Sequence, residues 1–122
     1  MALPEPHPLN EEQVEGYSAS VAASPVAAYV RAPFRGKILK VWSILGGAIT
    51  VGDATVTVAI NGTTVTGGTI TIANSGSAAG DFDSAVPTAL NFVNEDDVIS
   101  FTPSGATGTS VPGWFGAVIR RA

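Results

Sequence analysis

The stretch Ala54-Thr-Val-Thr-Val-Ala-Ile60, followed at once by Asn61-Gly62 and Thr63-Thr-Val-Thr66, decides the fold class. Its side chains alternate strictly. Val56, Val58 and Ile60 fall on one face, and Thr55, Thr57 and Ala59 on the other. Period two is the repeat of a β-strand with one face buried. Asn61-Gly62 is the preferred pair for a two-residue hairpin, because both central positions need a positive φ. The chain therefore returns through residues 63–66 and turns again at Gly67-Gly68. It continues as Thr69-Ile-Thr-Ile-Ala73, with Ile70 and Ile72 toward the core.

Upstream, Lys37-Ile-Leu-Lys-Val-Trp-Ser-Ile-Leu45 sets Ile38, Lys40, Trp42 and Ile44 on one face and Lys37, Leu39, Val41, Ser43 and Leu45 on the other. Both faces are largely apolar, which predicts a central strand covered on both sides. Two short runs, residues 17–23 and 26–32, flank Ser24-Pro25. Downstream, residues 74–91 are too long for a simple turn, and a short strand is expected near residues 89–92. Asn94-Glu-Asp-Asp97 reads as a tight acidic turn before the strand Val98-Ile-Ser-Phe-Thr102. The last strand, residues 114–120, sets Trp114, Gly116 and Val118 against Phe115, Ala117 and Ile119. Trp42 and Trp114 lie in apolar strands and are expected in the core. No stretch of ten residues shows helical periodicity. The reading is all-β: an antiparallel, jelly-roll-like β-sandwich of about eight strands.

At 122 residues the chain is long enough for one domain with one core. Residues 1–16 read as a separate, extended arm, because Pro4, Pro6 and Pro8 alternate there; residues 17–122 form the β-sandwich domain. The chain has no cysteine, so disulfides, thiolate nucleophiles and cysteine metal sites are excluded. Charged residues make up 13%, about half the usual share. Alanine, glycine, serine and threonine together account for 54 residues. The net charge of −4 argues against a phosphate-neutralising nucleic-acid binder. Residues 1–16 lack a basic segment followed by an apolar one, which predicts synthesis in a cytosol. No run approaches the length of a membrane span, so no membrane partner is expected.

The candidate chemistry is sparse. Asp81, Asp83, Asp96 and Asp97 lack the spacing of a calcium loop, and neither metal nor other cofactor is expected. His7, the one histidine, sits between prolines where nothing fixes its tautomer. No catalytic residue, no small-molecule substrate and no enzyme activity are expected. Tyr17, Tyr29, Trp42 and Trp114 suit a sugar-stacking platform, but core packing is the expected role of the tryptophans. Charge is unevenly placed. Glu5, Glu11, Glu12 and Glu15 crowd the start of the chain, whereas Arg31, Arg35, Lys37 and Lys40 form a basic cluster free of acids. That cluster suits a partner-facing edge. With Leu3, Leu9 and Val14, the sizeable apolar residues of the arm besides Met1, these four basic residues are the candidate partner-binding positions.

The run Val30-Arg-Ala-Pro-Phe-Arg-Gly-Lys-Ile-Leu-Lys-Val-Trp-Ser-Ile-Leu-Gly-Gly-Ala-Ile49 continues through Ala54-Thr-Val-Thr-Val-Ala-Ile-Asn-Gly62 and Gly68-Thr-Ile-Thr-Ile72 to Ser75-Gly-Ser-Ala-Ala-Gly-Asp81. In pattern it resembles small β-sandwich head decoration, or cement, proteins of tailed bacteriophages. The likeness covers about residues 26–102. It implies a jelly-roll-like fold and a structural virion protein made in the host cytoplasm. It further implies attachment to the major capsid protein on the outer capsid surface, stabilising contacts between capsomers. Self-association is implied too, as a homotrimer or else a homodimer. The alternative is a carbohydrate- or receptor-binding β-sandwich module of tail-fibre or adhesin type.

Overall fold

The computed structural model describes residues 10–122. Ten strands follow one another: β1 (Glu11–Ser18), β2 (Ala28–Arg31), β3 (Gly36–Leu45), β4 (Ala54–Ile60), β5 (Thr63–Thr64), β6 (Ile70–Ile72), β7 (Phe82–Ala85), β8 (Phe92–Val93), β9 (Val98–Ser104) and β10 (Gly113–Arg121). They form two five-stranded sheets in which every pairing is antiparallel. The first sheet has the order β1-β10-β3-β7, with β8 also on β3; the second has β2-β9-β4-β5, with β6 also on β4. The chain crosses from sheet to sheet between β1 and β2, β2 and β3, and β3 and β4. This is the strand order of a jelly roll, with β6 and β8 as short additions to it. β8 lies beside the short strand expected near residues 89–92, whereas β7 falls within the expected long connection.

The hairpin forms as its turn residues require. Asn61 and Gly62 have φ of 48° and 87°, and Ile60 pairs with Thr63. The core lies between the sheets. Val56, Val58, Ile70, Ile72, Ile99 and Phe101 of the second sheet meet Ile38, Val41, Leu45, Phe115, Ala117 and Ile119 of the first. Phe101 and Phe115 stack across the gap, their centroids 5.6 Å apart and their planes 13° from parallel. Such a pair contributes about 0.5–1.5 kcal/mol beyond its buried area. Val21, Ala22, Ile49 and Val111, on connecting segments, are buried as well. Pro103 is accommodated within β9 because β2 pairs only with residues 98–101, so its flank lacks a strand to bond.

Three expectations are corrected here. First, β3 does not keep one parity. Ile119 pairs with Ile38, but Val118 pairs with Lys40, so Leu39 is an extra residue in a bulge. Beyond it the faces exchange. Ile38, Val41, Ser43 and Leu45 are buried, while Lys40, Trp42 and Ile44 take the outer face. Second, Trp114 is not in the core. Phe115 takes the inward place beside it, and Trp114 is 40% exposed. Third, the boundary expected between residues 16 and 17 falls inside β1, which pairs with β10 over its whole length, from Glu11 with Arg120 to Ser18 with Gly113. Val14, expected as an anchor on a partner, packs against this chain's own core. Gly16 lies so close to β2 that an added Cβ would meet Val30 Cγ1 at 3.0 Å. Leu3, Leu9 and the alternating prolines lie outside the described residues.

One polar link ties the hairpin to the acidic turn. The Asp97 carboxylate accepts hydrogen bonds from the Asn94 backbone N–H (2.8 Å) and from Asn61 Nδ2 (3.0 Å), while Asn61 Oδ1 accepts from the Val98 backbone N–H (2.9 Å). Hydrogen bonds to the charged form hold the Asp97 pKa below the ordinary aspartate value, the Asn94 contribution being the larger. A folded-state pKa below the unfolded one stabilises the fold above the unfolded value, and this is lost as pH falls through the folded value. Denaturant midpoints of the wild-type protein should therefore fall more than those of Asp97→Asn between about pH 5 and pH 2. Parallel curves for the two proteins would show that the link carries no charge-dependent stability.

Candidate functional site

Residues directly opposite in an antiparallel sheet point to the same side, so the registers lay out the outer face of the first sheet. One row is Tyr17, Trp114, Ile44 and Phe82, and the next is Glu15, Gly116, Trp42 and Ser84. Then follow Gln13, Val118 and Lys40, and finally, past the bulge, Glu11, Arg120, Lys37 and Phe92. A shallow depression of about 410 Å³ opens on this face, lined by Gln13, Glu15, Lys40, Trp42, Ile44, Phe82, Trp114 and Val118.

Its floor exists because position 116 has no side chain. A Cβ on Gly116 would come within 2.2 Å of Trp42 Cζ2 and 2.3 Å of Cε2. The indole lies over that gap and is only 7% exposed, although it belongs to the outer face. Its Nε1–H donates to Gln13 Oε1 at 3.0 Å, and Gln13 Nε2 donates to Glu15 Oε2 at 2.9 Å. The buried ring thus positions a rim carboxylate through one amide. Phe82 stacks on Trp42 with centroids 6.3 Å apart, and Lys40 Nζ stands 5.4 Å from the Phe82 centroid. Tyr17 leans on Trp114, 5.6 Å away and tilted by 59°. Trp114, Phe82 and Tyr17 are between 40% and 56% exposed, so their rings are open to a partner. The face offers binding chemistry: aromatic surface, one amide, one carboxylate and one ammonium group.

Of the four aromatics weighed from sequence, Tyr17, Trp42 and Trp114 come together, whereas Tyr29 faces outward on the second sheet. Phe82 was missed, because its strand carries only four residues inside a long polar connection. The basic cluster disperses. Arg31 lies on the second sheet and pairs with Asp96, Arg35 is exposed between β2 and β3, and Lys37 and Lys40 share the outer face of the first sheet. Burial, and then the charge of Asp81, pushes the Asp83 carboxyl above its ordinary value. Among the described residues no group of three or more His, Cys, Asp or Glu side chains is placed to hold a metal ion.

A second apolar feature lies beside β5 and β8, where Leu90 and Phe92 border a depression of about 380 Å³ with Ile60 and Thr63. Leu90 has a φ of 55°, an unfavourable region for a bulky residue. The segment is held there by Asn91. Its carbonyl accepts from the Ile38 N–H, and its buried side-chain Nδ2 donates to the Ile38 carbonyl, both at 2.8 Å.

No protein-family model matches this chain, and no curated protein sequence does. Solved structures do. The dimeric latent PorU of Porphyromonas gingivalis matches 92% of the chain at a TM-score of 0.57 and 16% identity, and the chain spans only 13% of that protein's length. A chain of the acid-stable capsid of Helicobacter pylori bacteriophage KHP30 matches at a TM-score of 0.52 and 13% identity, over 90% of this chain and 92% of that one. A carbohydrate-binding module solved with calcium and xylotriose matches 81% of this chain and 74% of its own at a TM-score of 0.44 and 18% identity. The first two share the β-sandwich fold with this chain.

The seat of Trp42 is open to a direct test. Gly116→Ala places a methyl group where the indole lies, so the ring must leave. Overpacking of this kind costs about 1–3 kcal/mol. Urea unfolding should show that loss, accompanied by a red shift of tryptophan emission in the folded state. An unshifted spectrum would mean that the ring keeps its place and that the gap at residue 116 is not what seats it.

Proposed function

We propose that this chain is a structural virion protein, a decoration or cement protein that binds the outer face of a tailed-phage head. In this reading it assembles as a homotrimer and bridges neighbouring subunits of the major capsid protein. The observation that carries the reading is the pair Leu90 and Phe92, 64% and 63% exposed on a segment pinned by two hydrogen bonds. Val86, nearby in sequence, is 66% exposed. Bulky apolar side chains held out to solvent in fixed positions suit a surface covered on assembly. A chain with 13% charged residues is likewise better suited to a covered surface than to a crowded solution. The fold it shares, end to end, with a chain of a phage capsid supports the same reading. Capsids repeat their surface many times, so modest individual contacts gain strength when the bound unit is oligomeric.

The test uses phage particles separated on a density gradient. The chain is expected in the band of DNA-filled heads, where added protease should digest it without opening the head. Leu90→Ser combined with Phe92→Ser should reduce binding to undecorated heads at least tenfold, about 1.4 kcal/mol, while the melting temperature stays within a few degrees. Away from heads, sedimentation equilibrium should give three times the 12.3 kDa chain mass. Heads lacking the chain, or a double variant that binds like wild type, would overturn the reading.

A further inference from the structure

The outer face of the first sheet carries chemistry that capsid attachment through Leu90 and Phe92 does not use. We propose that it is a binding site for a neutral saccharide, in which a sugar ring stacks on Trp114 beside the edge of Phe82 while its hydroxyls bond to Glu15 and Lys40. Trp114 and Phe82, 40% and 51% exposed, offer ring surface that gains from covering by an apolar face. Glu15 is an acceptor and Lys40 a donor on the rim of the same depression. Whatever covers the rings must also satisfy these two, because a charged group desolvated without a partner is costly.

That condition separates the ligand classes. A purely apolar ligand leaves both rim charges unpaired. A cation finds the Phe82 ring already faced by the Lys40 ammonium, 5.4 Å from its centroid. An anion meets the Glu15 carboxylate. The two rim charges are opposite, so a neutral ligand with donors and acceptors beside a C–H face meets every requirement. A pyranose has this form.

The site is also organised in advance. Trp42 Nε1 holds Gln13, and Gln13 Nε2 holds Glu15 Oε2, which leaves the other carboxylate oxygen to accept from a ligand. Tyr17 braces Trp114 from the side. A depression of about 410 Å³ falls in the range of small-ligand sites. Groups fixed before binding lose less conformational freedom when the ligand arrives.

The full chain would be titrated with cellotetraose, maltotetraose, mannotetraose and chitotetraose, following tryptophan emission and heat. At least one should bind saturably with a Kd below about 10 mM, the range of a weak site. Trp114→Ala and Glu15→Gln should each weaken that binding at least tenfold, and Glu15→Gln should do so with an unchanged melting temperature. Leu90→Ser with Phe92→Ser should leave it unaltered, so failure of this proposal and failure of the capsid reading are told apart. The proposal is overturned if none of the four sugars binds, or if binding is indifferent to Trp114 and Glu15. It is also overturned if the two variants instead dissociate an oligomer, which would make this face a contact between copies of the chain.

Discussion

Two residues of β3, Leu39 and Lys40, stand against the single Val118 of β10, and the arrangement of both faces of the first sheet depends on that mismatch. A strand has period two, so one extra residue exchanges the faces of everything beyond it. Before the bulge Ile38 enters the core, and after it Val41 and Leu45 do. Unbroken alternation would have sent either Ile38 or that later pair into solvent. Keeping Ile38 inside by unbroken alternation would also have turned Trp42 inward, toward a gap already occupied by Phe101 and Phe115. The bulge therefore resolves a packing conflict, and the indole on the outer face is its consequence.

An outward tryptophan still needs somewhere to lie. Gly116 provides the place, since any side chain there would overlap the ring. Once the ring lies flat, its N–H can reach Gln13, and Gln13 in turn fixes Glu15. A defect in strand pairing and a missing side chain thus produce an ordered polar rim around an aromatic floor. Phe82 pairs with one end of β3, at Ile44, and Phe92 with the other, at Lys37. The aromatic face and the Leu90–Phe92 feature therefore lie toward opposite ends of β3.

Much of the fold was legible because it depends on local chemistry. The alternation of residues 54–60, the Asn61-Gly62 turn and the inward Ile70 and Ile72 all appear as the sequence indicated. The two sets of residues in β10 were separated correctly, Trp114 with Gly116 and Val118 against Phe115 with Ala117 and Ile119. Which set faces inward was not legible, since both contain a large aromatic and the choice rests on Phe101 in the other sheet. β1 escaped notice because Glu11, Glu12, Gln13 and Glu15 leave Val14 as its one aliphatic residue, and Gly16 reads as a break. β10 nonetheless supplies it with eight paired positions.

Local chemistry along the chain suffices for the class of fold, the tight hairpin, most of the residues that fill the core and a surface with little charge. These follow from side-chain period and turn preference, which act over a few residues. Tertiary structure alone decided where β3 shifts register, which face of β10 is buried, and that Tyr17, Trp42, Phe82 and Trp114 share one surface. Those outcomes depend on partner strands up to about a hundred positions apart, as the pairing of Glu11 with Arg120 illustrates. Period two assigns residues to two faces, but only packing against a second sheet makes one of them the inside.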